Sequence, residues 1–456
     1  MCVGIPHIAS LRTCQKTSAA RLNRAITVVC ILTNHQRLAS CSNQITMIAA
    51  QQISLIGGKM QKRTFGQIFT EQRGIGPGFD YLRIGLAIAI FLAHIAAIGE
   101  TRGVIPSIID LFRELFTGNS APIVAAVPTN LIAPVTGNLP DMGLTRAGLS
   151  RPIVLSHVPM FFALSGFLVA GSAFRVRRVK SFLALRSLRI FPALGVEVIL
   201  SALLIGAYAT TLPLDRYFQD YGFFTYFGNI FGFVQMHLPG VVWPNSGERT
   251  AVNANLWTLP GEFYCYLILS FGMFSTLVFN RKICTALFVI TTVGLIYVSN
   301  FRGFNSKAGV LATDLNVYYF FVGIMFFLWK DVIWRSWTLF GLSIIAVYFL
   351  IDQPWGVYLA PLPLAYVTVF IGLIEFPSIK LLRSGDYSYG VYLYGFPISQ
   401  MVLFEFPQLK GNYLALMAPS LALTIVFAYL SWHGIEKHFL KLKRHFIAKS
   451  PPPSEK

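Results

Sequence analysis

The sequence predicts an all-α, polytopic integral membrane protein with about ten transmembrane helices and both termini in the cytoplasm. Of the 456 residues, 55% are hydrophobic and only 12% are charged, and the mean hydropathy is +0.60. A typical soluble domain carries about 25% charged residues, and it does not contain a succession of apolar runs of about 20 residues. A lipid bilayer is therefore the environment that this composition requires.

Ten apolar runs are long enough, or nearly long enough, to cross the hydrocarbon core of a bilayer. The predicted spans are residues 79–99, 152–172, 187–209, 257–279, 283–299, 312–329, 335–351, 356–375, 388–406 and 412–432. An even number of spans places both termini on the same side of the membrane.

The distribution of lysine and arginine indicates which side this is. If the termini are cytoplasmic, 27 of the 37 basic residues lie in inner segments and 9 in outer ones, and without residues 1–59 the inner count is still 21. Inner segments of membrane proteins carry such an excess of positive charge. The net charge of +18 therefore reflects topology and contact with membrane lipids, and it does not predict nucleic-acid binding.

Three segments are predicted along the chain. Residues 1–59 are polar and mixed, without a sustained apolar period, and Met60 opens a stretch that is typical of a natural protein start. We therefore expect residues 1–59 to be a disordered or mis-started extension. Residues 60–440 are expected to form the membrane domain, and residues 441–456 a basic cytoplasmic tail.

The six cysteines form no recognisable framework. The sequence contains no Cys-x-x-Cys pair and no cluster of cysteine and histidine with the spacing of a metal site. We therefore expect no disulfide, no metal and no permanently bound cofactor. The motifs of serine hydrolases, phosphate-binding loops, dinucleotide-binding folds and zinc proteases are also absent from the sequence, so these classes have no support.

An arginine and a histidine lie on the first predicted span. Arg83 and His94 are eleven residues apart, or about three helical turns, so both project from one face about 16 Å apart along the axis. An ionisable side chain deep in a span is costly and is usually functional. The structural alternative is an imidazole that donates a hydrogen bond to the backbone of a neighbouring helix.

A second group of cations lies at the inner end of the third span. Arg186 and Arg189 are three residues apart and share a helix face, close to a basic stretch at residues 175–180. Guanidinium groups bind phosphate in a bidentate manner, which predicts a clamp for a phosphorylated ligand. The structural alternative is anchoring at lipid headgroups.

Three other segments carry candidate side chains. Glu262 is expected near the outer mouth of the fourth span, where a carboxylate is suited to hold His94 in one tautomer; an aromatic such as Trp257 at a helix start there is common at membrane interfaces. Ser165-Gly166 is typical of close helix packing. The tyrosines of the stretch Tyr387–Tyr394 are typical of an aromatic belt.

Together these motifs resemble the acyltransferase-3 family, membrane enzymes that O-acylate sugars in bacterial surface polysaccharides and related molecules. The similarity runs in order over residues 79–440. The matching stretches are Phe79-Asp80-x-x-Arg83 with His94, Phe161 to Phe167, Arg186 to Pro192, Leu256 to Glu262, Tyr387 to Tyr394, and Ile435-Glu436-Lys437. Two positions depart from the family pattern: Gly395 replaces a frequent histidine, and His433 replaces the usual arginine.

The resemblance implies an acyltransferase of the bacterial inner membrane. Its implied co-substrate is cytoplasmic acyl-CoA, most often acetyl-CoA, and its implied acceptor is a hydroxyl of an extracytoplasmic glycan or lipid-linked sugar. The expected catalytic residues are His94 and Glu262. The residues expected to bind the donor are Arg83, Arg186 and Arg189, and those expected to line the site are Ser165, Asn255, Trp257 and Tyr392.

The sequence leaves alternatives open for mechanism and function. Neutral His94 is expected to act as a general base on the acceptor hydroxyl, and an acyl-histidine intermediate is the other possibility. The main alternative function is a transporter or flippase for a lipid-linked sugar, which predicts broken helices and related halves. Pro192 and Pro397 are candidates for such breaks, but no related halves are evident. A third alternative is a sensor or scaffold protein with no catalytic activity. This function would leave the presence of Arg83 and His94 in a membrane span unexplained.

Overall fold

Helices make up the regular structure of the part of the chain that a computed structural model describes, which is residues 63–100, 151–244, 251–302, 313–351, 353, 356–377 and 384–447. Across these ranges the only β-structure is two isolated bridges, Thr64–Trp334 and Thr210–Val241. The predicted extension 1–59 and the end of the predicted basic tail lie outside the described residues.

Eleven helices are numbered here in chain order. They are α1 (Phe65–Glu71), α2 (Gly78–Ile98), α3 (Arg151–Val176), α4 (Val179–Leu200), α5 (Leu259–Phe274), α6 (Arg281–Arg302), α7 (Thr313–Leu328), α8 (Trp337–Leu350), α9 (Pro361–Gly372), α10 (Ser388–Glu405) and α11 (Tyr413–Ser431). Short helical turns join several of them, including a 3₁₀ segment at Ala254–Thr258 that leads into α5.

All ten predicted spans correspond to helices, α2 to α11. Within the described residues, four helical stretches have the length and apolar composition needed to cross a membrane: Gly78–Ile98, Pro152–Val176, Val179–Ala209 and Tyr413–Phe446. Others are shorter, such as α9 with 12 residues, which is about 18 Å long against a hydrocarbon core of about 30 Å. The chain is thus a helical membrane protein, and the count of ten spans stays a prediction.

The third predicted span begins earlier than expected. α4 starts at Val179, eight residues before the predicted boundary at 187, so Arg186 and Arg189 lie inside a helix and not at its entrance. Arginine and lysine have high helix propensity, and their long side chains can reach polar surroundings from within the first turns of a span. Arg186 and Arg189 therefore belong to α4 itself, whereas the basic stretch at residues 175–180 contains the break between α3 and α4.

α3 and α7 approach each other closely at two glycines. A Cβ atom on Gly166 would collide with the backbone carbonyl of Phe320, and one on Gly323 would collide with that of Ala163. Small residues permit such close backbone approach in membrane helices. The prediction of close helix packing therefore applies to Gly166, which faces α7. The neighbouring Ser165 faces a different direction.

Candidate active site

A cavity of about 130 Å³ lies among α2, α3, α4, α5 and the start of α10. Six of the nine side chains expected from the sequence line it together: Arg83, Ser165, Arg186, Arg189, Glu262 and Tyr392. Most of the remaining lining is apolar, with side chains such as Phe161, Leu164, Leu168 and Leu259. The cavity thus combines a cationic region, one carboxylate and an apolar wall.

Asp386, which precedes α10, joins two of the three arginines. Its Oδ2 atom lies 2.5 Å from Arg189 Nη2 and 3.3 Å from Arg83 Nη1, and its Oδ1 atom accepts a hydrogen bond of 2.5 Å from Ser388 Oγ. Burial alone would raise the pKa of Asp386, but Arg189 and Arg83 outweigh this effect and hold that pKa well below its ordinary range. The carboxylate is therefore ionised and neutralises part of the positive charge.

Arg186 has no carboxylate partner among the described residues. Its Nε atom is buried without a hydrogen bond, and its Nη2 atom makes only a long contact of 3.5 Å with Ser172 Oγ. A buried, unneutralised guanidinium is costly unless an anion binds to it. Arg186 is therefore the arginine in this cavity that is most available to an anionic ligand.

Glu262 lines the same cavity as the three arginines. Its carboxylate accepts a hydrogen bond from the hydroxyl of Tyr266, one turn further along α5. No hydrogen bond or ion pair connects Glu262 with His94 in the described part of the chain. The predicted pairing of these two side chains therefore has no contact in the structure.

Asn255 does not line the cavity but fixes a residue that does. Its Nδ2 atom donates a hydrogen bond of 2.5 Å to the backbone carbonyl of Tyr392. The hydroxyl of Tyr392 lies 2.6 Å from Oγ1 of Thr258, which also lines the cavity. Asn255 thus supports the wall of the cavity, whereas Trp257 is half-buried and does not belong to the described lining.

His94 lies beyond the cavity along α2. Its ring makes an edge contact with Phe396 at 5.1 Å between centroids, and Phe396 is one helical turn after Tyr392, which lines the cavity. The Nδ1 atom of His94 is buried without a hydrogen-bond partner. The described contacts thus show no hydrogen bond from this nitrogen to a neighbouring backbone, which was the structural alternative.

The two departures from the family pattern have local explanations. A Cβ atom on Gly395 would lie 2.9 Å from the ring of Phe91 on α2, so this aromatic ring takes the space that a side chain would need. His433 lies just after the C-terminal end of α11, where its Nε2 atom is 3.1 Å from the hydroxyl of Tyr387. It therefore belongs to a tyrosine cluster and not to the cavity.

Sequence reasoning missed several polar residues of this site. Asp386 precedes the recognised tyrosine stretch by one position, and its role depends on two arginines that are distant in sequence. Tyr266 is four residues after Glu262, a spacing that places both on one helix face and that could have been noticed. No group of three His, Cys, Asp or Glu side chains that could hold a metal occurs among the described residues.

Comparisons with known proteins bear on this arrangement. A family model described as an acyltransferase domain matches residues 77–433. An O-acetyl transferase of Shigella phage Sf6 is 29% identical over 294 residues, covering 62% of this chain and 84% of that protein. Nodulation protein 10 of Rhizobium leguminosarum bv. viciae is 27% identical over 321 residues, covering 64% and 84%. No solved structure matches the chain.

Proposed function

The chain belongs to the acyltransferase-3 family, and on that premise we propose that it transfers an acyl group, acetyl by preference, from cytoplasmic acyl-CoA to a hydroxyl of an extracytoplasmic glycan or glycolipid. The observation that carries this proposal is the cavity in which three arginines from two helices meet Glu262. Similarity to an O-acetyl transferase supports the reaction class and favours an enzyme over a transporter or flippase. The proposed location is a bacterial inner membrane, with both termini cytoplasmic.

In this proposal the phosphates of the donor bind at the arginines. Arg186 supplies a guanidinium without an ion-pair contact among the described residues, and such a group forms bidentate, charge-assisted hydrogen bonds with phosphate. Arg83 and Arg189 are already paired with Asp386, so they contribute mainly to the positive potential of the cavity. The apolar wall around Phe161 and Leu168 suits the uncharged arm that carries the thioester.

The acyl group then meets the acceptor hydroxyl near His94. The acceptor oxygen attacks the thioester carbonyl, and the carbon–sulfur bond breaks as the new ester bond forms. His94 takes the hydroxyl proton and returns it to the CoA thiolate, so no proton is gained or lost overall. The unpartnered Nδ1 atom of His94 suits a role as general base, which typically contributes about 10²- to 10⁴-fold to the rate.

The reaction is tested with the purified full-length protein in nanodiscs. Acetyl-CoA and a set of lipid-linked glycans are added, free thiol is followed with time, and the glycans are analysed by mass spectrometry. We expect acceptor-dependent release of CoA and a gain of one acetyl group on a glycan. Movement of the glycan across the membrane without any acyl transfer would instead indicate the transporter.

The availability of Arg186 leads to a prediction about donor affinity. Arg186→Gln is expected to weaken CoA binding about ten- to a hundredfold, because loss of a charge-assisted hydrogen bond costs roughly 1.5–3 kcal/mol. Titration of CoA by isothermal calorimetry measures the effect. Arg175→Gln is the matched control, since Arg175 is exposed in the last turn of α3 and does not line the cavity. Equal CoA affinity in the two variants would assign Arg186 to membrane anchoring.

A further inference from the structure

Pro397 leaves one backbone carbonyl of α10 without its helical donor. In a regular helix the carbonyl of Leu393 accepts a hydrogen bond from the N–H of residue 397, and proline has no N–H. A side chain replaces this donor, because Nδ2 of Asn253 lies 3.0 Å from the Leu393 carbonyl oxygen. Leu393 and Asn253 are both fully buried, so without this bond the carbonyl would be unpaired away from water, at a cost in stability.

Glu197 on α4 holds the Asn253 amide in that orientation. Its Oε1 atom accepts hydrogen bonds from Asn253 Nδ2 at 2.8 Å and from Ser201 Oγ at 2.7 Å. The Oδ1 atom of Asn253 accepts from the backbone N–H of Asn255 at 3.0 Å. Both N–H groups and the oxygen of the Asn253 amide are therefore in use, which leaves this side chain a single favourable orientation.

These bonds fasten the segment that leads to Glu262. Residues 253–258 contact α10 through Asn253 and Leu393, through Asn255 and the carbonyl of Tyr392, and through Thr258 and the hydroxyl of Tyr392. α5 begins at the next residue, so Glu262 follows within one turn. The position of Thr258 and Glu262 in the cavity wall therefore depends on how residues 253–258 pack against α10.

We propose that Glu197 and Asn253 are positioning residues of the acyl-transfer site. They fasten residues 253–258 to the carbonyl that Pro397 leaves open, and this attachment holds Thr258 and Glu262 at the cavity. Glu197 does not line the cavity and is only 1% exposed, so it acts through Asn253 and does not touch the substrates. The inference rests on the proposed use of the cavity for acyl transfer.

Two substitutions of Glu197 separate positioning from proton transfer. Glu197→Gln keeps an oxygen that can accept from Asn253 and Ser201, so we expect at least half of the wild-type kcat. Glu197→Leu removes the acceptor, and because small misplacements of reacting groups reduce rates strongly, we expect kcat to fall about ten- to a hundredfold. The affinity for CoA, measured directly, should be unchanged, since the arginines are held by other contacts. A Gln variant as inactive as the Leu variant would overturn the proposal.

A substitution of Pro397 tests the docking site itself. Pro397→Ala restores an N–H that competes with Asn253 for the Leu393 carbonyl, so kcat is expected to fall at least fivefold although the helix gains a hydrogen bond. Pro419→Ala in α11 is the matched control, because no described side chain donates to the carbonyl of Ala415, four residues earlier. Equal kcat values for the two proline variants would overturn the proposal.

Hydrogen exchange gives a readout that does not depend on activity. Amides of residues 251–258 are expected to exchange faster in Glu197→Leu and Asn253→Ala than in the wild type or Glu197→Gln, because the segment is no longer fastened. Unchanged exchange in both variants would contradict the positioning role. If the wild type transfers no acyl group while exchange changes as expected, the proposed function fails and the structural inference stands.

Discussion

Replacing His94 with alanine is expected to lower acyl transfer about 10²- to 10⁴-fold, the usual contribution of a general base, while the protein still inserts and folds. The imidazole lies within a membrane helix, and its Nδ1 atom has no hydrogen-bond partner to lose among the described residues. His94→Gln extends the test, because glutamine keeps polarity and much of the volume but cannot act as a base. Initial rates of acetyl transfer at saturating acetyl-CoA measure both variants.

A second histidine provides the control for this experiment. His157 on α3 also carries a buried Nδ1 atom without a hydrogen-bond partner, yet it lies outside the described cavity lining and outside the matching family stretches. His157→Ala is therefore expected to retain a rate close to that of the wild type. Substantial transfer by His94→Gln would show that His94 serves as a polar side chain and not as the base.

Replacing Asp386 with asparagine is expected to destabilise the protein by roughly 2–4 kcal/mol. Removing one partner of a buried ion pair leaves an uncompensated charge, which costs about 3–5 kcal/mol when burial is complete, and Asp386 is 22% exposed. Here one carboxylate serves both guanidinium groups, so Arg189 loses this ion-pair partner and Arg83 keeps only its pair with the exposed Asp80. Thermal unfolding of the purified proteins in one detergent measures the change.

Asp80 offers a matched comparison, because it pairs with the same arginine from the surface. The distance from Asp80 Oδ1 to Arg83 Nη1 is 3.1 Å, but the Asp80 side chain is 63% exposed. Exposed pairs contribute about 0–1 kcal/mol, so Asp80→Asn should unfold at nearly the wild-type temperature. If both asparagine variants unfold at the same temperature as the wild type, Asp386 does not stabilise the arginines.

The pH dependence of the Asp386 effect follows from the direction of its pKa shift. Arg189 and Arg83 lower the pKa of Asp386 in the folded protein, so its stabilising contribution is complete above the unfolded value of about 3.9. It is lost only as the pH falls towards the folded value. The difference in stability between the wild type and Asp386→Asn should therefore be constant from about pH 6 to 8 and shrink only in strong acid.

The sequence by itself was sufficient for the all-helical membrane class and for the family. Long apolar runs in a weakly charged chain predicted a helical membrane protein, and the ordered motifs predicted the acyltransferase-3 family that the match over residues 77–433 shows. Helical periodicity also placed Arg186 and Arg189 on one face. These conclusions depend on local patterns, which a linear sequence retains.

Only the tertiary structure decided which of these side chains meet. Asp386, which precedes α10 and lies 197 residues after Arg189 in the sequence, pairs with Arg83 and Arg189, whereas Arg186 has no carboxylate partner among the described residues. The tertiary structure also brought Glu262 to the cavity that the arginines line, and it paired Asn253 with the Leu393 carbonyl that Pro397 leaves without its helical donor. Such contacts join residues that are distant in sequence. Helical periodicity and residue spacing describe local structure only, so they do not predict which buried donor pairs with a given carbonyl or charge.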